Sequence, residues 1–358
     1  MNTINIKSPG RVCLFGDHQD YLGLPVIACA INRYIHLTAT VNSTSFLRIK
    51  LPDIHSERLI NINDQPKALD KRDYFGSSLK VLKRYGCIPS HGYDINITGD
   101  IPINAGVSSS SALIVAWIKF LIEAYGLNHE ITPELIGKIA FEAEVLEHGE
   151  PGGFMDQYTI SLGNVVHIET DSNISFTTLR NQLEGLIIAE SGILKNTIVT
   201  LGDRKDKAIQ AIDYVKSSIP EFNIKSANLG QYDDYKEYMP LELRPYFYAA
   251  IKNHMITLEA LHELKKKELN MNKIGALMNE HHRVLRDNLK ITVPLIDTMI
   301  DTAIEKGAFG AKIVGSGGGG SIVILAPKDR ENEIILALKN VGANNAYKVK
   351  ADEGVRLN

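Results

Sequence analysis

Short runs of apolar and β-branched residues alternate with turn residues from residue 4 to about residue 40. The runs are INI, RVCLF, PVIACAI and YIHLTATV. Strands favour such residues in stretches of this length, so we predict strands and hairpins here and a further strand over residues 93–97. The chain is therefore expected to open as a β-sheet.

Apolar positions recur at helical spacing further along the chain. They predict helices over residues 74–85, 109–125 and 132–148, and later over PYFYAAIKNHMITLEALHELKKKEL and KIGALMNEHHRVLRDNL. AKIVG, SIVILAP and AYKVKA, around a run of glycines, predict strands. Residues 180–240 follow no regular pattern and are rich in Asn, Asp and Tyr. We therefore predict an α+β protein with two domains, residues 1–180 and 181–358.

The composition agrees with a folded protein of this size. The chain has 358 residues, 44% hydrophobic and 23% charged, which corresponds to two domains or one large α/β body. This composition excludes a disordered chain, a collagen and a coiled coil. The formal net charge of −3 creates no field that attracts a polyanion, so nucleic acid is not an expected partner.

The three cysteines, Cys13, Cys29 and Cys87, lack the spacing of a zinc site or a redox dithiol. Such cysteines are typical of a reducing compartment, which predicts a cytoplasmic protein. The amino terminus does not resemble a signal peptide, and Lys119 and Glu123 interrupt the most apolar stretch. Neither secretion nor insertion into a membrane is expected.

The first candidate segment is PINAGVSSSSALIVAWIKFL, residues 102–121, where a small-residue loop precedes an apolar helix. A helix start attracts anions through its unpaired N–H groups and its dipole, and the small side chains of Gly106, Ser108 and Ser109 let phosphate oxygens approach. The hydroxyl of Ser110 or a neighbouring serine could bind a magnesium ion that bridges phosphates. A serine-rich N-cap is the alternative, but four serines exceed what capping requires.

The second candidate segment is AKIVGSGGGGSIVILAP, residues 311–327. Gly315, Gly317 and Gly320 match the dinucleotide-binding fingerprint as a bare pattern, but that fingerprint leads into a helix, whereas SIVILAP predicts a strand. No Gly-Lys-Ser/Thr follows the glycines, so the segment is not a P-loop. A flexible hairpin is the alternative. We favour a loop that packs beside phosphates, because each glycine carries an ordering cost.

The third candidate segment is SPGRVCLFGDHQDYLGLPVIACAI, residues 8–31. It places Arg11, Asp17, His18 and Asp20 around a turn between two predicted strands. Carboxylates accept paired hydrogen bonds from neighbouring hydroxyls, which suits a polyhydroxylated ligand such as a sugar. A metal site and a solvated turn are the alternatives for this cluster.

The fourth candidate segment is FEAEVLEHGEPGGFMDQYTISLGN, residues 141–164. Its predicted helix carries Glu142, Glu144 and Glu147, and most acidic residues on such a helix form its solvated face. Asp156 instead lies among glycines and apolar residues. A carboxylate there could accept or orient a hydroxyl proton beside a transferred phosphoryl group.

Together, the four segments resemble the motifs of the GHMP kinase superfamily, most closely those of its galactokinase branch. The first family motif is similar to PGRVCLFGDHQDYLGLPVIACAI, the second to PINAGVSSSSA and the third to KIVGSGGGGS. GGFMDQYTISLG and LMNEHHRVLRDNLKITVPLID resemble the galactokinases in particular. The resemblance implies an N-terminal domain like domain 2 of ribosomal protein S5, a ferredoxin-like C-terminal domain, and a site in the cleft between them.

The resemblance also implies roles for individual residues. Asp156 matches the catalytic aspartate, and Arg11 matches the arginine beside it that stabilises charge on the transferred group. Ser110 and Glu144 match magnesium ligands, Glu144 with an offset of one residue in the following loop. The implied sugar contacts are Asp17, His18, Asp20 and Gly153. The residues implied to flank the ATP phosphates are Gly106, Val107, Ser108, Ser109, Ser110, Ser111, Gly315, Gly317 and Gly318.

The implied reaction is the transfer of a phosphoryl group from ATP, with Mg²⁺, to a monosaccharide at its anomeric hydroxyl, by a monomer or weak homo-oligomer. Galactokinases usually carry Glu at the position of Asp17 and Thr at that of Gln19, so the exact sugar stays open. One alternative keeps the fold but uses an isoprenoid alcohol, homoserine, or a uronic or deoxy sugar. A sensor that binds ATP and sugar without turnover is the other, and the intact serines and Asp156 disfavour it.

Overall fold

The computed structural model describes residues 3–64, 69–170, 174–179, 183–193 and 197–358, with only the backbone described for residues 197–201. Its strands are β1 (Thr3–Phe15), β2 (Val26–Val41), β3 (Phe46–Leu51), β4 (Ser56–Asn61), β5 (Tyr93–Gly99), β6 (Val165–Glu169), β7 (Ser175–Leu179), β8 (Leu186–Glu190), β9 (Gly310–Ile313), β10 (Ser321–Leu325), β11 (Asn345–Val349) and β12 (Arg356–Leu357). Its α-helices are α1 (Tyr74–Arg84), α2 (Ser109–Tyr125), α3 (Pro133–Phe141), α4 (Met155–Leu162), α5 (Thr197–Ser218), α6 (Tyr232–Tyr235), α7 (Arg244–Leu264), α8 (Met271–Asp287), α9 (Pro294–Glu305) and α10 (Glu331–Asn340). Short 3₁₀ turns lie at Asp20–Leu22, Pro52–Ile54, Leu229–Gln231, Lys236–Tyr238 and Leu241–Leu243.

The first sheet is built around the antiparallel pair β1 and β2. Its order is β12-β1-β2-β5-β3-β4, and β6 and β7 extend it from β2. The short runs INI and RVCLF, predicted as separate strands, lie in the single strand β1, and YIHLTATV continues β2. Register shifts after Pro9 and after Cys13 bend β1 without ending it, because a bulge adds a residue while the ladder continues on both sides.

Helix α2 covers this sheet and fixes the position of its own serine-rich start. The helix contacts β1 and β2, and Trp117 and Phe120 are completely or almost completely buried. The Trp117 ring packs edge-on against Phe75 of α1 with centroids 5.0 Å apart. Burying each such aromatic side chain contributes about 2 to 3 kcal/mol, so α2 is held rigidly against the core.

The second sheet is antiparallel, in the order β11-β8-β10-β9. If its four strands are numbered by their order in the chain, their order across the sheet is 4-1-3-2. This is the strand order of a ferredoxin-like split βαβ unit. The helices from α5 to α9 lie between β8 and β9, and α10 lies between β10 and β11. The predicted connection of strand to strand across the glycine run is confirmed, because β9 pairs antiparallel with β10. The predicted α+β architecture is therefore present, and a Rossmann turn is excluded.

Several predicted boundaries differ from the observed ones. The predicted helix over residues 132–148 ends as an α-helix at Phe141 and continues as a π-helical turn, Glu142–Leu146. Helix α5, 22 residues long, lies in the part predicted to be irregular. The prediction of irregular structure was wrong. The apolar stripe of α5 is too weak to be recognised in the sequence, and packing against α7 stabilises the helix.

The predicted domain boundary between residues 180 and 181 lies outside the described residues and stays a prediction. The final residues return to the first sheet, where β12 pairs with β1. Among the residues that the structure describes, none of the helices is both long and apolar enough to cross a membrane. The three cysteines are buried free thiols.

Candidate active site

The four segments singled out by their sequence meet in one cleft of about 690 Å³. It lies where β1, the start of α2, the start of α4 and the β9–β10 loop approach one another. The lining residues that the sequence predicted are Arg11, Asp17, His18, Asp20, Gly106, Ser108, Ser109, Ser110, Ser111, Glu144, Gly153, Asp156 and Gly315. The predicted Val107, Gly317 and Gly318 are not among them.

Asp156, in the first turn of α4, is held by two side chains. Arg11 Nε donates to its Oδ1 at 2.7 Å, and Arg11 Nη2 donates to its Oδ2 at 2.5 Å. The hydroxyl of Ser108 also donates to Oδ2. A bidentate guanidinium pair is among the strongest and most directional contacts available to a carboxylate. The carboxylate of Asp156 therefore keeps one orientation in the cleft.

Arg11 also organises the loop before α2. Its Nη1 donates to Gly106 O at 2.6 Å, and its backbone N–H donates to Val107 O at 3.2 Å. Burial lowers the pKa of Arg11, but Asp156 raises it, and the net shift is upward, so the side chain stays charged. One cation thus links the loop to Asp156.

The start of α2 presents unpaired backbone donors to the cleft. Gly106 and Ser108 both have positive φ, +85° and +60°, and this turns the chain sharply into the helix. Ser108 makes no side-chain cap, because its hydroxyl binds Asp156 instead. The first N–H groups of a helix lack partners within it, and together with the helix dipole they form an anion site beside Ser109 and Ser110.

Glu144 lies on the π-helical turn and points toward the same helix start. It accepts hydrogen bonds from Ser111 Oγ at 3.1 Å and from Gln157 Nε2 at 2.6 Å. Burial raises the pKa of Glu144 to about 7; the hydrogen bond from Gln157 opposes this shift and the charge of Asp156 adds to it. The carboxyl group is therefore only partly ionised near neutral pH, and a cation bound beside the serine hydroxyls would favour its ionised form.

Replacing Glu144 by Gln is expected to flatten the pH dependence of stability. The pKa of Glu144 is near 4.5 when exposed and about 7 in the fold, so the folded state binds the proton more tightly. Its contribution is fully present below about pH 4.5 and is lost as the pH rises toward 7, by about 3 kcal/mol. Urea unfolding with EDTA at pH 5 and pH 7.5 measures the difference. Glu134→Gln, at an exposed site, is the control. If the free energy of unfolding fell equally between the two pH values in wild type, Glu144→Gln and Glu134→Gln, the prediction would be wrong.

The turn after β1, residues 16–21, carries Asp20 at the edge of the cleft. We call it the acceptor turn, because the family resemblance implies that its side chains contact the sugar that accepts the phosphoryl group. Asp20 Oδ1 accepts the Tyr21 N–H at 3.0 Å. Burial, together with the nearby charge of Asp156, raises the pKa of Asp20 to about 6. His18 has φ of +62°, and its Nδ1 lies 3.0 Å from the Tyr21 hydroxyl. The turn therefore presents a carboxylate and an imidazole within reach of a ligand beside Asp156.

The Gly153→Ala variant is expected to raise the KM for the acceptor about 10- to 100-fold with little change in the KM for ATP. A Cβ at position 153 would lie 1.8 Å from Asp20 Oδ2, so the carboxylate must move. It would then lose the sugar contact that the family resemblance implies for it, a loss of roughly 1.5 to 3 kcal/mol. Gly152→Ala is the matched control, because its Cβ would meet nothing closer than Val145 at 3.8 Å. Similar acceptor KM values for the two variants would remove Asp20 from the acceptor site.

Asp17 does not offer its carboxylate to the cleft as the family resemblance predicted. Its Oδ2 lies 2.6 Å from Lys312 Nζ, and its Oδ1 accepts the Gly315 N–H at 2.9 Å. The carboxylate therefore faces Lys312 of β9 and the backbone of Gly315. Lys312 was missed by the sequence analysis, although a lone lysine in the apolar strand AKIVG signals a paired buried charge.

Three residues predicted to flank phosphates lie outside the cleft. Val107 is fully buried in the core. A Cβ at Gly317 would lie 2.5 Å from Ile291, and the Gly318 N–H donates to Ile291 O at 2.7 Å. These glycines pack the β9–β10 loop against the segment before α9, and Gly315 with its neighbour Ser316 faces the cleft.

The far end of the cleft is apolar and was not predicted. Its walls come from β2, β3, β5 and the residues around α2, and include Ile35, Leu51, Ile97, Ile101 and Leu113. These side chains carry no distinguishing sequence signal, because isolated Ile and Leu residues are ordinary in strands and helices. Gln157 was also missed, although it adjoins Asp156.

Family models match three parts of the chain. They are described as GHMP kinases N terminal domain, matching residues 73–164, GHMP kinases C terminal, matching residues 258–344, and galactokinase galactose-binding signature, matching residues 2–41. The three models together cover the segments that build the cleft.

Whole-chain relatives agree. A galactokinase from Glaesserella parasuis serovar 5 is 31% identical over 98% of this chain and 94% of its own. A mevalonate kinase from Thermococcus sibiricus is 25% identical over 98% of this chain and 97% of its own. The structure of Lactococcus lactis galactokinase in complex with galactose superposes with a TM-score of 0.87 at 20% identity, covering 99% of this chain and 95% of that one.

The fold expected from the sequence, a two-domain GHMP kinase fold, is thus confirmed. With its N- and C-terminal family domains, its galactokinase signature and relatives that match nearly its whole length, the chain belongs to the GHMP kinase family as a galactokinase-like member, an ATP-dependent phosphotransferase that acts on a sugar or another alcohol.

Proposed function

We propose that this protein phosphorylates a neutral monosaccharide at its anomeric hydroxyl and releases a sugar 1-phosphate and ADP. The observation that carries the proposal is the Arg11–Asp156 pair. It lies between the anion site at the start of α2 and the acceptor turn with Asp20. A phosphoryl donor on one side and a polyol on the other would meet at Asp156.

The cleft has the parts needed for ATP. The apolar end suits an adenine ring, and the N–H groups and hydroxyls of Ser109 and Ser110 suit the phosphates. Ser110 and Glu144 would hold a magnesium ion, which is commonly bound in proteins by one or two carboxylates together with substrate phosphates and water. The described residues contain no cluster of three or more His, Cys, Asp or Glu side chains suited to a metal.

The reaction needs little covalent chemistry from the protein. The sugar oxygen attacks the γ-phosphorus, the bond to the bridging oxygen of ADP breaks, and the hydroxyl proton leaves toward Asp156. Because the transition state is loose, positioning and charge neutralisation supply most of the rate. Bound magnesium neutralises phosphate charge. Arg11 stabilises the transferring group, and Asp156 orients the hydroxyl or accepts its proton.

The charges on the cleft favour a neutral acceptor over an anionic one. Among the described residues that line it, the lysine and arginine side chains are Arg11 and Arg72. Arg11 is paired with Asp156, and Arg72 Nε lies 2.7 Å from Glu150. Beside Asp20 and Asp156, a carboxylate or phosphate on the acceptor would find only these two committed cations among the described lining residues. Lys205 does not line the cleft, and its ammonium donates to Pro151 O at 3.4 Å. Sugar hydroxyls instead donate to these carboxylates.

The charges of the cleft favour galactokinase activity over mevalonate kinase activity, the two activities named among the relatives. Mevalonate is itself a carboxylate, whereas galactose is neutral. The galactose-binding signature over residues 2–41 covers the acceptor turn, and the superposed galactokinase was solved with galactose. Galactose is therefore the first sugar to test.

The cellular setting also remains a proposal. The buried free thiols are compatible with the reducing cytoplasm that the sequence predicts. We propose that the protein acts there as a monomer or weak homo-oligomer on a small sugar, with no nucleic acid or membrane as partner.

The test is ADP release from ATP and Mg²⁺ with a panel of acceptors. We expect turnover with galactose or another neutral hexose, none with mevalonate or galacturonate, and loss of the sugar's reducing end as product forms. The Asp156→Asn protein serves as the background control. Turnover with mevalonate alone would overturn the sugar assignment, and ligand-induced stabilisation without any ADP release would favour the sensor.

A further inference from the structure

A buried ion pair joins the acceptor turn to the β9–β10 loop. The side chains of Lys312 and Asp17 are 0% and 1% exposed. Besides its ion pair with Asp17, the Lys312 ammonium donates to Cys13 O at 3.0 Å and to Ile313 O at 2.8 Å. The Gly315 N–H completes the partners of Asp17.

The pair connects the two sheets of the molecule. Asp17 follows β1 of the first sheet, whereas Lys312 belongs to β9 of the second. His18 and Asp20 continue from Asp17 along the acceptor turn, and Gly315 lines the cleft three residues after Lys312. Lys312 itself does not line the cleft. Any change in Lys312 therefore reaches the cleft through Asp17 and through the parts of the chain on either side of the pair.

The energetics of a buried ion pair suggest that Asp17 and Lys312 serve to position the segments around them more than to stabilise the fold. Desolvating two charges costs about as much as their attraction returns, so well-packed apolar residues often do as well, whereas removing one partner leaves a costly unpaired charge. Burial would raise the pKa of Asp17, but Lys312, His281 and the Gly315 N–H lower it to about 2. Asp17 therefore stays ionised and bound to Lys312.

We propose that Asp17 and Lys312 are positioning residues that set the acceptor turn against the β9–β10 loop, and that Asp17 acts through this pair and makes no contact with the sugar. The pair presents Asp20 and His18 to the acceptor at a fixed distance from Gly315. This inference rests on the proposed sugar-kinase function. It adds a pair of residues, one of them outside the cleft, that determines acceptor affinity.

The test is a double-mutant cycle with Asp17→Asn, Lys312→Met and the combined variant. Asp17→Asn keeps a side-chain oxygen that can accept the Gly315 N–H, but it leaves the Lys312 ammonium without a counter-charge. Lys312→Met leaves the Asp17 carboxylate without a counter-charge. We expect each single variant to raise the acceptor KM about tenfold and to lower the urea midpoint of unfolding. Because the two changes are coupled, the combined variant should have an acceptor KM and a urea midpoint close to those of wild type. Global destabilisation alone would not change the KM of the folded enzyme.

The outcomes separate the alternatives. If Asp17 binds the sugar directly, Lys312→Met has little effect on the acceptor KM, and the combined variant is as impaired as Asp17→Asn; either result overturns the proposal. Lys273→Met, which breaks an exposed pair with Glu259 on the surface, is the control and should move neither quantity by more than about twofold. The urea midpoints need no activity. Coupling there with no turnover on any sugar would therefore count against the proposed function and leave the ion pair's structural coupling established.

Discussion

The Asp156→Asn variant is expected to lose at least a hundredfold in kcat, within the roughly 10²- to 10⁴-fold contribution of a positioned acid or base, while ATP binding stays close to that of wild type. The amide keeps the shape of the carboxylate but cannot take the proton. It also presents an NH₂ group where Arg11 and Ser108 donate. Steady-state kinetics with saturating sugar measure kcat, and titration with a non-hydrolysable ATP analogue measures binding.

A structural loss must be separated from a chemical one. Asp156 loses its pairing with Arg11 in the variant, so the urea midpoint is measured alongside kcat. A hundredfold loss of kcat in a protein whose nucleotide affinity is unchanged supports the chemical role. Near-normal turnover would remove Asp156 from the mechanism and with it the proposed site of transfer.

The Arg11→Lys variant is expected to lose about 10²- to 10³-fold in kcat, the size of effect seen when one preorganised donor to a transition state is removed. The guanidinium makes three directed contacts, two with Asp156 and one with Gly106 O. A lysine ammonium is a single point donor that cannot form the bidentate pair and hold the loop at the same time. Asp156 and the anion site would both lose their fixed positions.

The matched control is Arg48→Lys, since Arg48 is half-exposed and its 3.6 Å pair with Asp94 is of the surface kind that contributes little. It should leave kcat within about twofold of wild type. Comparable activity of Arg11→Lys and Arg48→Lys would show that charge at position 11 suffices. The directional role assigned to Arg11 would then be wrong.

Local patterns predicted the elements that build the cleft because these elements carry strong local signals. Helix α2 begins at Ser109, where the serine run meets the apolar stretch, and the strands on either side of the glycine run pair as expected. Helix α5 was missed because its own sequence does not strongly favour a helix, and contacts with α7 complete it. Long-range packing of this kind has no signature within a short window.

In the candidate site, too, the sequence predicted the local features and missed the long-range contacts. Arg11, Asp20, Ser108, Glu144 and Asp156 were found because charged or small residues near turns are distinctive in a chain. Their partners were not found. Nothing in the separate segments indicates that Ser108 donates a hydrogen bond to Asp156 or that Gln157 donates one to Glu144. Nor do the segments indicate that Lys312 forms an ion pair with Asp17.

Residue types and their spacing along the chain were thus enough to locate the four segments that carry the chemistry and the helix and strands that hold them, since each of these depends on neighbours within a few residues. The resemblance of those segments pointed to the family, which the comparisons confirmed. The orientation of each carboxylate was settled by folding. Asp17 and Asp20 lie three residues apart and both were expected to bind sugar, yet one is paired with Lys312 and the other borders the cleft. That difference arises from side chains hundreds of residues away, which come into contact when the two sheets pack together.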